Sequence, residues 1–113
     1  MPRYMLILKG GSEEWAGYTP EQAQGIMQKY YDWSREIAEK GISLAGDPLT
    51  EGGRVLAVRD GTVVDGPYTE TKESIAGYYI IKADDYDQAV EIARGCPALL
   101  HNSTVEVREV QEL

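Results

Sequence analysis

The amino-acid sequence predicts an α+β fold in which an antiparallel sheet carries two helices on one face. Three observations predict it. Two segments show helical periodicity, short apolar or alternating segments surround them, and the chain has 113 residues, which suits one domain spanning residues 1–113. Hydrophobic residues make up 42% and charged residues 27% of the chain, which is ordinary globular usage and argues against disorder.

Six segments have the composition or the alternation of β-strands, with turn residues at their ends. They are residues 4–9, 42–45, 55–59, 62–64, 76–82 and 104–110. Asp60 and Gly61 separate two of them and form the strongest short-range hairpin signal in the chain. Residues 46–48 are expected to end the second strand, residues 65–67 to form a turn, and residues 10–18 to form a loop.

Two segments predict helices. Residues 19–22 provide a capping threonine, a proline at the first helical position and a glutamine that completes a capping box. Apolar residues then recur at three- and four-residue spacing until Gly41 ends this helix. The second helix is expected to begin after Asp85, with Gln88 three residues on, and to end at Gly95.

The predicted order is strand, helix, strand, hairpin, strand, helix, strand. Without the inserted β-hairpin, this is the βαββαβ order of a ferredoxin-like fold, with both helices on one face of the sheet. The strand at 76–82 has Tyr78 and Ile80 in one register and Tyr79 and Ile81 in the other. Because a bare apolar sheet face promotes association, we expect two sheets to pack face to face in a homodimer.

Charge and cysteine content limit the partners and the compartment. The net charge is −8, from 19 acidic and 11 basic residues, which opposes binding to nucleic acid or to anionic lipid. Cys96 is the only cysteine, so no internal disulfide can form and nothing indicates an oxidising compartment. The apolar run at 5–8 is too short for a membrane span. We expect a cytoplasmic protein without a membrane partner.

No motif in the chain predicts a cofactor or a metal. Residues 10–12, Gly-Gly-Ser, lack the lysine and the spacing of a phosphate-binding loop, and no Gly-x-Gly-x-x-Gly occurs. Cys96 and His101 alone do not form a zinc ligand set, and Cys96 is expected to be a small buried packing residue.

Three stretches carry a resemblance to a known family. They are residues 4–7 (Tyr-Met-Leu-Ile), residues 64–73 (Val-Asp-Gly-Pro-Tyr-Thr-Glu-Thr-Lys-Glu) with residues 76–81 (Ala-Gly-Tyr-Tyr-Ile-Ile), and Cys96-Pro97 with residues 105–110. In this order the chain resembles the DGPF/YCII-related proteins over nearly its whole length. Tyr68 stands where that family usually has phenylalanine, and Glu109 where proline is common.

The resemblance implies a dimeric α/β-barrel formed by two ferredoxin-like sheets. It does not imply a defined activity, since the biochemistry of the family is largely undetermined. Its genes often neighbour those of extracytoplasmic-function sigma factors, and a pair of Asp and His has been suggested as the active site of the wider YCII group. The histidine of that pair is described near the first helix, where this chain has none, so its role passes to His101 only as an expectation.

Asp65 and His101 are the candidate catalytic residues. His101 is the only histidine, and its side chain is the one whose ordinary pKa lies near neutrality, as a general base requires. Asp65 precedes a Gly-Pro pair and is followed by several ionisable residues, although an aspartate there also suits a turn. A solvated or capping role is the alternative for His101.

Six further residues are candidates for substrate binding. They are Arg54, Tyr68, Glu70, Lys72, Trp15 and Tyr18. Lys72 or Arg54 would orient an anionic group, with an ion pair between Lys72 and a neighbouring glutamate as the alternative. Trp15 and Tyr18 are candidates because a loop has no other evident need for large aromatic residues.

Three functions fit these features. The first is a cofactor-independent enzyme that transfers protons on a small organic acid or ketone, which the fold permits by analogy. The second is a ligand-binding or regulatory module associated with sigma-factor-dependent transcription. The third is a stable dimer in which the motif at 65–73 is structural.

Overall fold

The computed structural model describes residues 1–69, 71, 73–101 and 103–113, and for Ser12 the backbone alone. The helices and strands of these residues are β1 (Arg3–Lys9), α1 (Ser12–Ala16), α2 (Pro20–Glu39), β2 (Ser43–Pro48), β3 (Arg54–Arg59), β4 (Thr62–Pro67), β5 (Ile75–Lys82), α3 (Tyr86–Ala93), a 3₁₀ helix (Pro97–His101) and β6 (Thr104–Glu109).

Four strands form the main sheet in the order β2-β5-β1-β6, and each neighbouring pair is antiparallel. Among the described residues, the strands β3 and β4 pair only with each other and form a separate two-stranded ribbon. With this ribbon set aside, the strand order is that of a ferredoxin-like fold. The predicted α+β class and the inserted hairpin are therefore confirmed.

The helices cover one face of the sheet, and alternate residues of β1 point toward them. Tyr4, Leu6 and Leu8 are buried, whereas the residues between them are only half-buried. The core that contains them also takes in residues of β5, α2, α3 and the segment after α3. Its other members are Trp33, Ile37, Ile81, Ala83, Ala89, Ala93, Cys96 and Ala98.

In the described part of the chain, no helix lies over the opposite face of the sheet. Met5 lies opposite Ile80 and Ile7 lies opposite Tyr78 on neighbouring strands, and all four side chains are half-buried. These cross-strand pairs shield one another in part but leave an apolar surface exposed. A second copy of the chain on this face stays a prediction.

The expected caps and hairpin turn are confirmed. Thr19 Oγ1 accepts a hydrogen bond from the Gln22 amide at 3.1 Å, and Gln22 Oε1 accepts one from the Thr19 amide at 2.9 Å. At the start of α3, Asp85 Oδ1 accepts from the backbone amide three residues on at 2.9 Å. Asp60 and Gly61 both have positive φ, 51° and 76°, as a type I′ hairpin turn requires.

Two expectations about the segments on either side of α2 were wrong. Residues 10–18 include the short helix α1, whose first turn carries Glu13 and Glu14, where acidic side chains favour a helix. The strand β2 continues through Pro48, because it is an edge strand, where proline is tolerated. Gly46 fits there because a side chain would contact the ring of Tyr79, 2.7 Å from Cδ1.

The expectation of a turn at residues 65–67 was also wrong. These residues belong to β4, where Asp65 pairs with Leu56 and Pro67 pairs with Arg54. Pro67 is tolerated there because it is the last residue of a two-stranded ribbon, at its edge. The pattern Asp-Gly-Pro suits a turn locally, but pairing with β3 keeps the chain extended.

Candidate functional site

A cavity of about 840 Å³ lies beside α2, β2 and the start of β5. Its volume is within the range of small-molecule sites, roughly 300–1,000 Å³. Its wall is rich in aromatic residues, which come from α1, α2 and β5. They are Trp15, Tyr30, Tyr31, Tyr78 and Tyr79. His101 and Ser103 reach the same cavity from the 3₁₀ helix and the residues that follow it.

Both ring nitrogens of His101 have hydrogen-bond partners in this cavity. The Tyr30 hydroxyl lies 2.8 Å from Nε2, and Ser103 Oγ lies 3.2 Å from Nδ1. The ring centroid of Trp15 lies 6.0 Å from that of the imidazole, at 62° to it. These contacts hold the imidazole in one orientation against the cavity wall.

The surroundings of this pair set its protonation. Burial lowers the pKa of His101 below its ordinary value of 6.5, although a backbone hydrogen bond and the carboxylate of Glu14 act in the opposite direction. Burial raises the pKa of Tyr30 far above its ordinary value of 10, with smaller contributions from nearby Cys96 and tyrosine side chains. At neutral pH the imidazole is therefore neutral and the phenol is protonated.

Two tautomers of neutral His101 fit these contacts. A neutral imidazole has one donor nitrogen and one acceptor nitrogen. In one tautomer, Tyr30 donates to Nε2 and Nδ1 donates to Ser103 Oγ; in the other, Nε2 donates to the Tyr30 oxygen and Ser103 Oγ donates to Nδ1. The result is a short chain of uncharged groups, Tyr30–His101–Ser103, with a basic nitrogen at its centre.

Gly11 allows this arrangement because it has no side chain. Its φ is +86°, a conformation that other residues rarely adopt. A Cβ at this position would collide with Ser103 Oγ and would lie 2.8 Å from Nδ1 of His101. Glycine at the residue before α1 thus lets the backbone approach the imidazole closely.

Asp65 lies on the hairpin and does not line the cavity. Its carboxylate pairs with the guanidinium of Arg54, which bonds both carboxylate oxygens; Arg54 Nε lies 3.2 Å from Oδ1. The described contacts of Asp65 and of His101 have no residue in common. Within one chain the structure does not bring the two candidate catalytic residues together, and their catalytic roles stay predictions.

Of the other candidates for substrate binding, Trp15 lies at the cavity with Tyr18 beside it, and Tyr68 lies outside the cavity. Trp15 lines the cavity, and Tyr18 packs against it with ring centroids 5.8 Å apart. Tyr68 donates its backbone amide to Gly53 at the base of the hairpin and is not part of the cavity wall. Glu70 and Lys72 lie outside the described residues.

Sequence reasoning did not identify Tyr30 and Ser103 as the partners of His101. Tyr30 lies on the apolar stripe of α2, a pattern that favours packing in the core. One signal was present: Tyr30 and Ser34 are four residues apart on that stripe and carry hydroxyl groups. A buried hydroxyl requires a partner, and each of these two has one, His101 and Tyr79 respectively.

Cys96 is buried in the core, as expected, and only 2% of it is exposed. Burial raises the pKa of its thiol to about 11, with a backbone hydrogen bond from Ala98 acting the other way. At neutral pH the thiol is protonated and is therefore a poor nucleophile.

Among the described residues, no three His, Cys, Asp or Glu side chains are grouped as metal ligands. The helices in the described part of the chain are too short or too polar to span a bilayer.

Fold and cavity together define a small α+β protein with a histidine-containing pocket beside its first long helix. A model of the YCII-related domain matches residues 3–113, and the chain belongs to this family. A segment of 32 residues is 47% identical to a segment of an uncharacterized protein of Rhizobium meliloti (strain 1021). The match spans 28% of this chain and about a quarter, 26%, of that relative.

Proposed function

We propose that the protein is a cofactor-independent enzyme that carries out acid–base chemistry on a small organic molecule in this cavity. One observation supports the proposal above all. A neutral imidazole is bonded to a protonated phenol, at 2.8 Å, inside a cavity of small-molecule size. A neutral histidine with a lowered pKa can accept a proton at pH 7, and an adjacent phenol can return one.

The proton would follow the existing hydrogen bonds. The Tyr30 hydroxyl is bonded to Nε2, so there are two routes for a substrate proton to that nitrogen. The proton passes through the Tyr30 oxygen, or the substrate displaces the Tyr30 hydroxyl from Nε2. In the first route the C–H or O–H bond of the substrate breaks and its electron pair stays on the substrate. The proton moves to the Tyr30 oxygen while the phenolic proton moves to Nε2. With the ring proton on Nδ1, that nitrogen donates to Ser103 throughout, and the reverse transfer returns the proton to the product.

A homodimer is part of this proposal. The ribbon β3–β4 exposes Leu56, Val58 and Val63, each more than 60% accessible, in addition to the half-buried bare face of the sheet. Large exposed apolar patches of this kind favour association. In one chain Asp65 is paired with Arg54 outside the cavity, so a role for Asp65 in the reaction would require a second chain. A cytoplasmic location stays a prediction.

The test follows proton exchange, which does not require the physiological substrate. The protein is incubated in D₂O with a panel of small ketones and phenols, and exchange of C–H protons is followed by NMR. We expect His101→Gln to lower the enzyme-dependent exchange by about 100-fold or more, the usual contribution of a general base. Gln24→Ala, an exposed change on α2, serves as the control and should exchange at the wild-type rate.

Exchange that is no faster than in buffer, or equally fast in His101→Gln, would rule out the acid–base proposal. Ligand binding without proton exchange would support the second function, a ligand-binding or regulatory module associated with sigma-factor-dependent transcription. If the protein shows neither binding nor exchange, the third function remains, a stable dimer in which the motif at 65–73 is structural.

A further inference from the structure

Apart from Asp47 and Glu51, the described polar side chains that line the cavity are uncharged. Tyr30 and His101 are bonded to each other, and Ser34 Oγ lies 2.9 Å from the Tyr79 hydroxyl. Ser74 Oγ accepts from the Thr71 backbone amide at 2.7 Å. Around these groups the wall is aromatic or aliphatic, so a ligand meets apolar rings and a few neutral hydrogen-bonding atoms.

The carboxylate of Asp47 points away from the cavity. Gly46 faces the Tyr79 ring, so Asp47, the next residue of β2, points to the opposite face of the sheet. There its carboxylate accepts a hydrogen bond from the Tyr78 hydroxyl at 3.1 Å. Glu51, beyond the end of β2, is exposed to solvent.

Among the described residues that line the cavity, none is lysine or arginine. Arg54 is paired with Asp65 on the hairpin, and Lys9 is paired with two glutamates, Glu73 and Glu106, at 3.2 and 3.5 Å. The carboxylate of Glu14 acts on His101 and adds negative potential near the imidazole. An anionic ligand would therefore lose its hydration without gaining a positive partner among these residues, which is costly.

We propose that the cavity binds uncharged, largely aromatic molecules that carry a hydroxyl or carbonyl oxygen, and that it discriminates against carboxylates of the same shape. The inference rests on the proposed function, since the Tyr30 hydroxyl would donate to the ligand oxygen in the tautomer in which Nε2 donates to Tyr30. Aromatic rings of the ligand would stack on or pack edge-to-face with Trp15, Tyr30 and Tyr79. This ligand class differs from the organic acid that Lys72 or Arg54 would orient.

Three probes of one shape test the ligand class: 2-acetylnaphthalene, 2-naphthoate and 2-naphthylmethylammonium. Each is titrated into the full-length protein by calorimetry, and the indole N–H signal of Trp15 in NMR spectra reports binding in the cavity. We expect the ketone to bind at least about tenfold more tightly than the carboxylate, because the carboxylate loses its hydration uncompensated. The ammonium probe should also bind more weakly than the ketone.

Tyr30→Phe tests whether the neutral pair recognises the oxygen. This change should weaken the ketone about five- to tenfold, the effect of one lost hydrogen bond, and leave unsubstituted naphthalene unaffected. Ser34→Ala provides a second variant if Tyr30→Phe unfolds, and it should alter the ketone-to-naphthalene ratio less. An unchanged ratio in Tyr30→Phe would overturn the role of the pair.

Tighter binding of the carboxylate or of the ammonium ion would overturn the ligand class, as would the absence of binding by all three probes. Loss of carboxylate binding in Lys72→Ala or Arg54→Ala would identify the cation responsible. These results are distinct from failure of the proposed function. Tighter binding of the carboxylate together with His101-dependent proton exchange would reject only the ligand class. Ketone binding without exchange rejects only the catalysis.

Discussion

At the scale of single residues, the environment of His101 determines the chemistry that the cavity can perform. A histidine on the surface would be partly protonated near neutral pH and would bond mainly to water. Here the ring is half-buried and both nitrogens bond to neutral hydroxyls, of Tyr30 and Ser103. The only described charge that acts on its pKa is the carboxylate of Glu14. The burial that keeps the imidazole neutral, and so free to accept a proton, also makes its protonation unfavourable to the fold.

Acidification should therefore destabilise the protein through this residue. The pKa of His101 is lower in the folded chain than its ordinary value of 6.5, so the unfolded chain binds the proton more readily. The stability contributed by neutral His101 is complete above about pH 6.5 and is lost as the pH falls through the folded pKa. Urea denaturation between pH 7.5 and 5 should show a steeper loss for the wild type than for His101→Gln. Parallel curves for the two proteins would contradict the lowered pKa.

Gly11→Ala should damage the site and the fold together. The left-handed backbone and the collision with Ser103 and His101 should lower the free energy of unfolding by about 2 kcal/mol, measured by urea denaturation. Gly25→Ala is the matched control, because the residue is inside α2 and no described atom beyond the adjoining backbone of that helix lies within 4 Å of the added methyl group. It should stabilise the protein by about 0.5–1 kcal/mol. A Gly11→Ala protein as stable as the Gly25→Ala protein would show that His101 moves aside without cost.

At the scale of helices and strands, the sequence determined the elements with strong local signals. The capping box at Thr19, the capping aspartate at Asp85 and the Asp60-Gly61 turn all formed as predicted, because each is specified by neighbouring residues. The errors fell where distant contacts decide. β4 stays extended through Pro67 because β3 pairs with it, and no local pattern records that pairing.

The candidate site was predictable only in part for the same reason. His101 was predicted because it is the only histidine in the sequence. Trp15 was predicted because a loop has no evident structural need for a large aromatic residue. Their partner Tyr30 is 71 residues from His101 in sequence, and only the packing of α2 beside the 3₁₀ helix brings them together. Asp65 was chosen from its motif, but its contact with Arg54 depends on the register of the hairpin.

At the scale of the whole molecule, one chain is unusually flat. Its extents are 48 × 44 × 18 Å and its radius of gyration is 16.0 Å. A compact chain of this length would have a radius of gyration of about 13 Å. The hairpin accounts for part of the excess, since the residues of β3 are all exposed and those of β4 nearly so. An exposed apolar ribbon and a bare sheet face both favour a second chain.

We therefore expect sedimentation at about twice the monomer mass of 12.5 kDa. Leu56→Lys places a charge in the exposed patch of the ribbon, and Ile80→Glu places one on the bare face of the sheet. Both changes should shift the protein toward monomer, because an unpaired charge is costly in an apolar interface. Arg59→Gln, on the other face of β3, is the control and should leave the mass unchanged. A wild-type protein that sediments as a monomer at tens of micromolar would refute the dimer.

The two tryptophans lie in different parts of the molecule, and this has a practical consequence. Trp15 borders the cavity beside His101, whereas Trp33 is 8% exposed and packs edge-on against Tyr79 in the core. Their fluorescence therefore reports two separate events. Emission from Trp15 responds to what occupies the cavity and to the charge on the imidazole, and emission from Trp33 responds to loss of the core. The native chain carries its own optical probes for binding and for unfolding.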